Sequence, residues 1–263
     1  MTSFNQIFET LKAKNRQWIL GVGESLIRKV ERQFVRHSLI GDHTFFEPEQ
    51  FSWVPNLEAN WHKIRQELEV ILQHRDALPN FQDIAKDEYR ITQDDRWKTY
   101  FFYGFGIKTE GNCARCPETT RLLESIPGMT TAFFSILLPH KQIPEHKGIY
   151  KGIIRYHLAL KVPEPATSCG IRVGGETRHW EEGKSLIFDD LHRHSAWNNS
   201  DEVRVVLFVD FLRPVSPPYN LFNQMILRFI SWSPYVQDGK ARQDQWNERL
   251  EKLLGKTELQ GKA

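Results

Sequence analysis

Apolar and polar positions change period twice along this chain. From Asn56 the apolar residues Leu57, Trp61, Ile64, Leu68, Ile71 and Leu72 form a stripe that predicts a helix started by Pro55 and Asn56. Leu26 to Val35 repeats that three-and-four spacing with a basic opposite face, an amphipathic helix suited to packing on a core or lying on a membrane surface. Between Arg75 and Asp95 the pattern dissolves into mixed charge around Leu78-Pro79-Asn80, which predicts a long surface connection of the kind that often covers a site. Trp97 to Phe105, rich in aromatics and Thr, predicts a strand, and Pro117 to Ile126 a short helix ended by Pro127-Gly128.

From Thr131 the period becomes two. Strands are predicted at Thr131 to Leu138, Gly152 to Lys161, Cys169 to Val173, Glu176 to Trp180, Ser185 to Phe188 and Val203 to Leu212, with Gly174-Gly175 as a two-residue hairpin turn. After Arg213-Pro214 helical spacing returns in Leu221 to Trp232 and Asp244 to Leu254, and a polar, frayed tail is expected from Gly255. The pattern predicts a mainly β fold with helical flanks, its core a double-stranded β-helix of the jelly-roll or cupin type. One catalytic domain is expected, with a helical N-terminal flank at about 1–95, a β-barrel core at about 96–214 and a helical C-terminal tail at about 215–263.

Composition narrows the function classes. The 263 residues carry 35 basic and 33 acidic side chains, net +2, so no strong field argues for nucleic acid, and membrane contact is expected to be peripheral at most. Met1-Thr2-Ser3-Phe4-Asn5-Gln6 lacks a leader's basic and apolar regions, and no run of about eighteen apolar residues occurs, so a soluble, cytoplasmic protein is expected. Cys113, Cys116 and Cys169 are too few for a disulfide framework and fit a reducing compartment. The lone Cys113-x-x-Cys116 pair lacks the further ligands of a zinc site.

Candidate chemistry lies between His146 and Arg204. In Gly152 to Lys161 alternation puts Arg155, His157 and Ala159 on one face and Ile154, Tyr156, Leu158 and Leu160 on the other; the two polar residues face either a site or solvent. Arg204 opens Val203-Arg204-Val205-Val206-Leu207-Phe208-Val209-Asp210-Phe211, apolar on both faces, so its guanidinium needs an anion. A bound carboxylate fits the planar fork; an ion pair with Asp210, Asp189 or Asp190 is the alternative. His146 and the cluster Asp189-Asp190-Leu191-His192-Arg193-His194 offer imidazoles to Fe(II), and spacing alone does not choose between His192 and His194. The carboxylate that most iron sites of this kind carry two residues after the first His is replaced by Gly148.

Several ordered motifs between Trp53 and Pro214 resemble the aspartyl/asparaginyl β-hydroxylase family of Fe(II)/2-oxoglutarate-dependent dioxygenases. They are Pro55-Asn56-Leu57-Glu58-Ala59-Asn60-Trp61, Cys116-Pro117-Glu118-Thr119-Thr120, Arg155-Tyr156-His157-Leu158-Ala159-Leu160, Trp180-Glu181-Glu182-Gly183-Lys184-Ser185-Leu186-Ile187-Phe188-Asp189-Asp190 and His194-Ser195-Ala196-Trp197-Asn198. The resemblance implies iron ligation by His146 and His194, with His192 beside the site. It also implies 2-oxoglutarate contacts from Ser135, Arg155, His157 and Arg204, with Arg204 on the distal carboxylate and O2 as the oxidant. Oxidative decarboxylation to succinate and CO2 would then drive hydroxylation of an unactivated C–H bond. Asp190 reads as support for a metal-bound His or as a turn residue.

Substrate choice divides the resemblance. His146-Lys147-Gly148 looks like the animal aspartyl/asparaginyl hydroxylases and implies an Asp or Asn side chain, in a peptide or as a free or carrier-bound amino acid. The segment Ile149-Tyr150-Lys151-Gly152, the chain length and the helical tail look more like the bacterial lipid A 2-hydroxylase branch and imply an acyl chain. Leu26 to Val35 and the aromatic run Phe229 to Tyr235 would then face a membrane. A non-catalytic cupin-like binding protein is the third possibility, motivated by Gly148.

Overall fold

The computed structural model describes residues 29–148 and 150–260. Helix α1 spans 29–36; residues 26–28 of the predicted Leu26–Val35 helix, and the leader region at Met1 to Gln6, lie outside the described residues. The helix predicted from Asn56 is two helices, α2 (Val54–Ala59) and α3 (Trp61–Leu72). They part at Asn60, whose side-chain Nδ2 donates to the Asn56 carbonyl at 2.9 Å and competes with the helical ladder. The other helices are α4 (Phe81–Ile84), α5 (Glu110–Arg115), α6 (Pro117–Glu124), α7 (Tyr219–Ser231) and α8 (Pro234–Gln260). Helix α8 continues through Gly255, where a frayed tail was expected, because one Gly costs only about 1 kcal/mol among good helix formers.

Eleven strands are described: β1 (Phe45–Phe46), β2 (Trp97–Gly104), β3 (Ile107–Lys108), β4 (Met129–Leu137), β5 (Gln142–His146), β6 (Ile153–Lys161), β7 (Cys169–Val173), β8 (Glu176–Arg178), β9 (Ser185–Phe188), β10 (His194–Asn198) and β11 (Arg204–Leu212). They form a seven-stranded sheet, β1-β9-β6-β11-β4-β2-β3, and a four-stranded sheet, β5-β10-β7-β8. Neighbouring strands run antiparallel throughout. This is the mainly β, cupin-like jelly roll with helical flanks that the period-two pattern predicts. The β7–β8 hairpin turns on Gly174 and Gly175 at φ 55° and 93°, the left-handed pair such a turn requires.

Alternation gives the large sheet two buried faces. Phe134, Ile136, Tyr156, Leu158, Leu160, Val205, Leu207, Val209 and Phe211 pack with Leu57, Ile64, Leu68 and Leu122 of the helical layer. On the opposite face Phe133, Ala159, Val206 and Phe208 meet Ile143, Ile171, Val173 and Ala196 of the small sheet. The Cys116-Pro117-Glu118-Thr119 motif joins the helical layer. Pro117 takes the first helical position of α6, and the Glu67 carboxylate on α3 accepts from the amides of Glu118 and Thr119, both at 2.8 Å. Cys113, Cys116 and Cys169 are buried free thiols.

The stretch from Arg75 to Asp95 differs from the surface connection expected. It holds α4 between short 3₁₀ turns, buries Leu78 and Ile84, and stacks Phe81 on Trp97 at 4.1 Å. Phe81 thereby covers the face of the large sheet that looks toward the small one.

Candidate active site

The space between the sheets collects the candidate residues through strand register. His146 on β5 and His194 on β10 are direct cross-strand partners, their rings 4.1 Å apart. Each Nδ1 faces a backbone carbonyl two residues back, Pro144 at 2.8 Å and His192 at 2.9 Å. A carbonyl only accepts, so Nδ1 carries the proton and Nε2 is left as the lone-pair nitrogen of each ring. Burial pushes His146 below its usual value, with the Arg155 charge adding to the effect. For His194, burial, the neighbouring His146 and Arg155 push it down to about 3. Two neutral, oriented imidazoles at one point are what a divalent metal accepts as ligands.

On the large sheet, Ser135, Arg155, His157 and Arg204 share the face turned to this pair. Arg204 is 2% exposed, lies over the Trp180 ring at 4.3 Å, and has no hydrogen-bond partner for Nε or Nη1 among the described residues. None of the three aspartates considered as its ion-pair partners serves that role. Asp210 accepts from Arg155 Nε at 2.8 Å and Nη2 at 3.0 Å, Asp190 lies 2.9 Å from Arg155 Nη2, and Asp189 is paired with Lys151 and Arg213. Burial lowers Arg204 to about 10, which still leaves it cationic at neutral pH.

His157 is 6% exposed within a box of Trp180, Phe188 and Phe208, and neither ring nitrogen has a partner among the described residues. Burial, with Arg204 and Arg155 close by, holds it well below its usual value, hence neutral. The Ser135 hydroxyl accepts from Trp97 Nε1 at 3.1 Å and keeps its own proton to donate. Trp180 Nε1 and Asp190 Oδ1 are likewise buried without partners. So many orphaned polar atoms around one point mark a place for a polar ligand, and the buried Arg204 requires that ligand to be anionic.

Gly148 has a reason internal to the fold. Its N–H donates to the Asp190 carbonyl at 2.7 Å, and a Cβ built on it would overlap the Asp190 carboxylate. Asp190 therefore takes the space that a side chain at 148 would need. Burial pushes Asp190 up to about 7, helped by Asp210 and Asp189 and opposed by Arg155.

Beyond the histidine pair the site opens into a cavity of about 410 Å³. Its walls are mostly apolar: Phe81 and Ile84 of α4, Trp97 and Phe101 of β2, Phe133, Phe208, and Val236 of α8, with His146, Gly148, Arg155 and Asp190 at the polar end. Sequence reasoning missed the walls from α4 and α8 and the stacking of Trp180 on Arg204. The α4 segment reads in sequence as a surface connection, and helical spacing marks only Asp244 to Leu254 of α8, beyond the Val236 that lines the cavity. His192 stands outside the pair, grouped with Asp42 and Asp189. Lys151 Nζ lies 2.7 Å from both of those carboxylates and Arg213 holds Asp189 too, so the group is already neutralised without a metal.

A jelly roll with a histidine pair and a buried arginine facing the space between its sheets belongs to the broad class of cupin-like folds. Within it, the chain is a member of the aspartyl/asparaginyl beta-hydroxylase family, whose model matches residues 58–214. It is 40% identical over 226 residues to the ornithine lipid ester-linked acyl 2-hydroxylase of Rhizobium tropici, covering 86% of this chain and 80% of that one. It is 31% identical over 170 residues to the aspartyl/asparaginyl beta-hydroxylase of Homo sapiens, covering 63% of this chain but only 22% of that one. Among solved structures, the Schizosaccharomyces pombe Cnp3 cupin domain matches 52% of this chain and 74% of that one at 12% identity and a TM-score of 0.33. The family relationship makes the chain a hydroxylase-type enzyme.

Proposed function

We propose that this protein is an Fe(II)- and 2-oxoglutarate-dependent hydroxylase of lipid acyl chains. The observation that carries the substrate is the cavity, which begins at His146 and is walled by Phe81, Ile84, Trp97, Phe101, Phe133, Phe208 and Val236. This predominantly apolar surface desolvates a methylene chain, while the polar side chains of the lining, among them Arg90, Lys108, Lys240 and Gln243, stand among the apolar walls. The acyl 2-hydroxylase relative, matched over 86% of this chain, agrees with that choice and directs it to an amino-acid-bearing lipid.

His146 and His194 would hold the iron through Nε2, their orientation set by the carbonyls of Pro144 and His192. Arg204 would take the distal carboxylate of 2-oxoglutarate, with Ser135 donating its hydroxyl proton and His157 beside the chelating end. Iron and cosubstrate supply oxygen activation, with succinate and CO2 released. Arg155, pinned to Asp210 and Asp190, positions the Asp190 carboxylate at the polar end of the cavity. Phe81, stacked on Trp97, forms part of the cavity's apolar wall and would help exclude water from it.

A second reading, hydroxylation of an Asp or Asn side chain, is favoured by His146-x-Gly148 and by the 31% identity to the animal enzyme. The fold's own demand for Gly148 beneath Asp190 weakens the first of these arguments. The test is incubation with Fe(II), ascorbate and 2-oxoglutarate plus either an ester-linked acyl aminolipid or an Asp-containing peptide, read by mass spectrometry. Gain of one oxygen on the acyl chain is expected. Oxygen found only on the peptide transfers the proposal to the second reading. No succinate above a His146→Ala control points to a binding protein instead.

A further inference from the structure

We propose that α7 docks the protein on an anionic lipid bilayer. Helix α7 is apolar on two sides. Leu227, with Ile226 and Ile230 beside it, packs on Phe34, Tyr150, Ile153 and Val215. Leu221, Phe222, Met225, Phe229 and Trp232 are exposed, Phe229 at 63% and Trp232 at 70%. At roughly 100° per residue these five fall within about 100° of arc, opposite the packed side, so they form one stripe. A soluble protein rarely leaves so many large apolar side chains together on one helix face.

Charge and composition select the occupant. From Phe211 to Gln237 the chain carries no Asp or Glu; Arg213 is buried, and Arg228, at the edge of the stripe, is exposed. An apolar face with aromatic side chains and a flanking cation suits a helix lying in an anionic membrane surface, where rings sit at the headgroup boundary. Phe229 and Trp232 already lie edge to face at 5.9 Å. No helix among the described residues is long and apolar enough to cross a membrane, so the contact would be a surface one.

Position within the fold gives the surface a purpose. Tyr150 and Ile153, which α7 covers, also line the cavity, and α8, the next helix, contributes Val236, Gly239, Lys240 and Gln243 to its wall. A bilayer seated on α7 would therefore lie one helix layer from the cavity assigned to the acyl chain. The inference rests on the acyl-chain reading for this purpose; the apolar stripe and its charge stand without it.

The test is co-sedimentation of the full chain with phosphatidylethanolamine/phosphatidylglycerol vesicles, comparing wild type with Phe229→Glu/Trp232→Glu. Both positions are exposed, so circular dichroism and the thermal midpoint should not change. The wild type is expected to sediment with the vesicles, and the variant's partition to fall at least about tenfold. A wild type that stays in the supernatant, or a variant that binds equally well, overturns the proposal. So does a wild-type dimer that the variant dissolves while neither form binds vesicles, which would make the stripe an interface between two copies. Parallel turnover of a detergent-dispersed acyl lipid and an Asp peptide keeps the two readings apart. Vesicle binding through α7 by a protein that oxidises only the peptide keeps the docking helix and rejects the acyl chain; acyl turnover without vesicle binding does the reverse.

Discussion

Replacing Arg204 with Met should separate the stability of the free protein from its affinity for cosubstrate. Without ligand the guanidinium is buried with Nε and Nη1 unpartnered, an arrangement that costs folding energy. Exchanging buried charges for an apolar side chain of similar volume often stabilises by about 1–4 kcal/mol. The lost stacking on Trp180, at 4.3 Å, removes roughly 0.5–2 kcal/mol in the other direction. Relief of the buried charge is the larger effect at the middle of both ranges, for a net change between about −1 and +3.5 kcal/mol and a melting midpoint from a few degrees lower to roughly 10 °C higher. Cosubstrate binding moves oppositely. Removing one partner of a buried charge pair costs about 2–5 kcal/mol, at least about thirtyfold in affinity for 2-oxoglutarate.

The assay is thermal unfolding under anaerobic Mn(II), with and without 2-oxoglutarate. At about a hundred times its dissociation constant the cosubstrate should add roughly 2.7 kcal/mol to the wild type, a rise of several degrees, and at most about 0.9 kcal/mol to Arg204→Met at the same concentration. A variant that keeps the rise refutes the assignment of Arg204. A variant that loses more than about 2 kcal/mol without cosubstrate refutes the argument from its burial.

Other perturbations test separate parts of the site. With His194 held at about 3 rather than 6.5, the unfolded chain binds a proton that the folded chain does not, so acidification through that window costs up to about 1.4 kcal/mol per pH unit. His146 and His157 act in the same direction, while Asp190, raised from 3.8 to about 7, gains stability on acidification and opposes them. Asp190→Asn should therefore steepen the acid loss seen in urea melts at about pH 5 and about pH 7.5; an unchanged slope counts against this linkage. Gly148→Asp should lower the midpoint by the equivalent of about 1–3 kcal/mol through overlap with Asp190, and Gly148→Asp/Asp190→Gly should recover about half of it in a double-mutant cycle. Val236→Phe should narrow the cavity, reducing turnover of long acyl chains more than short ones while succinate formed without substrate stays the same; equal loss at every chain length would place the chain elsewhere.

The strands buried on both faces were the legible ones. Cys169–Val173 and Ser185–Phe188 match their predicted bounds, and β4, β6 and β11 fall within two residues of theirs, because burial demands apolar, β-branched and aromatic residues at nearly every position. Strands β5 and β10 went unread. In β5, Gln142, Pro144 and Glu145 are exposed and only Ile143 is buried, so its pattern is that of a loop until β10 supplies the ladder. The cross-strand meeting of His146 and His194 is a fact of register across nearly fifty residues, which no local pattern encodes. Arg204 is legible as an anomaly, and strand geometry alone rules out one of its candidate ion-pair partners. Asp210 lies six residues along the same strand, about 20 Å away. That Asp189 belongs to Lys151 and Arg213 could not be seen, since those partners come from separate segments.

Charge explains why so much of the site is left unsatisfied. Arg155 is paired with Asp210 and Asp190, and the imidazoles of His146, His157 and His194 are held neutral, so Arg204 is left as a buried cation whose Nε and Nη1 have no partner among the described residues. A divalent metal alone would add two further positive charges to a low-dielectric pocket, and a dicarboxylate alone would bring one negative charge more than Arg204 can balance. Bound together the two would add no net charge to the pocket, and the distal carboxylate would give the orphaned Arg204 nitrogens a partner. Under the proposed function the polar end of the cavity would hold a metal and an oxoacid bound as a unit, and the apolar walls beyond it would receive a substrate that contributes shape rather than charge.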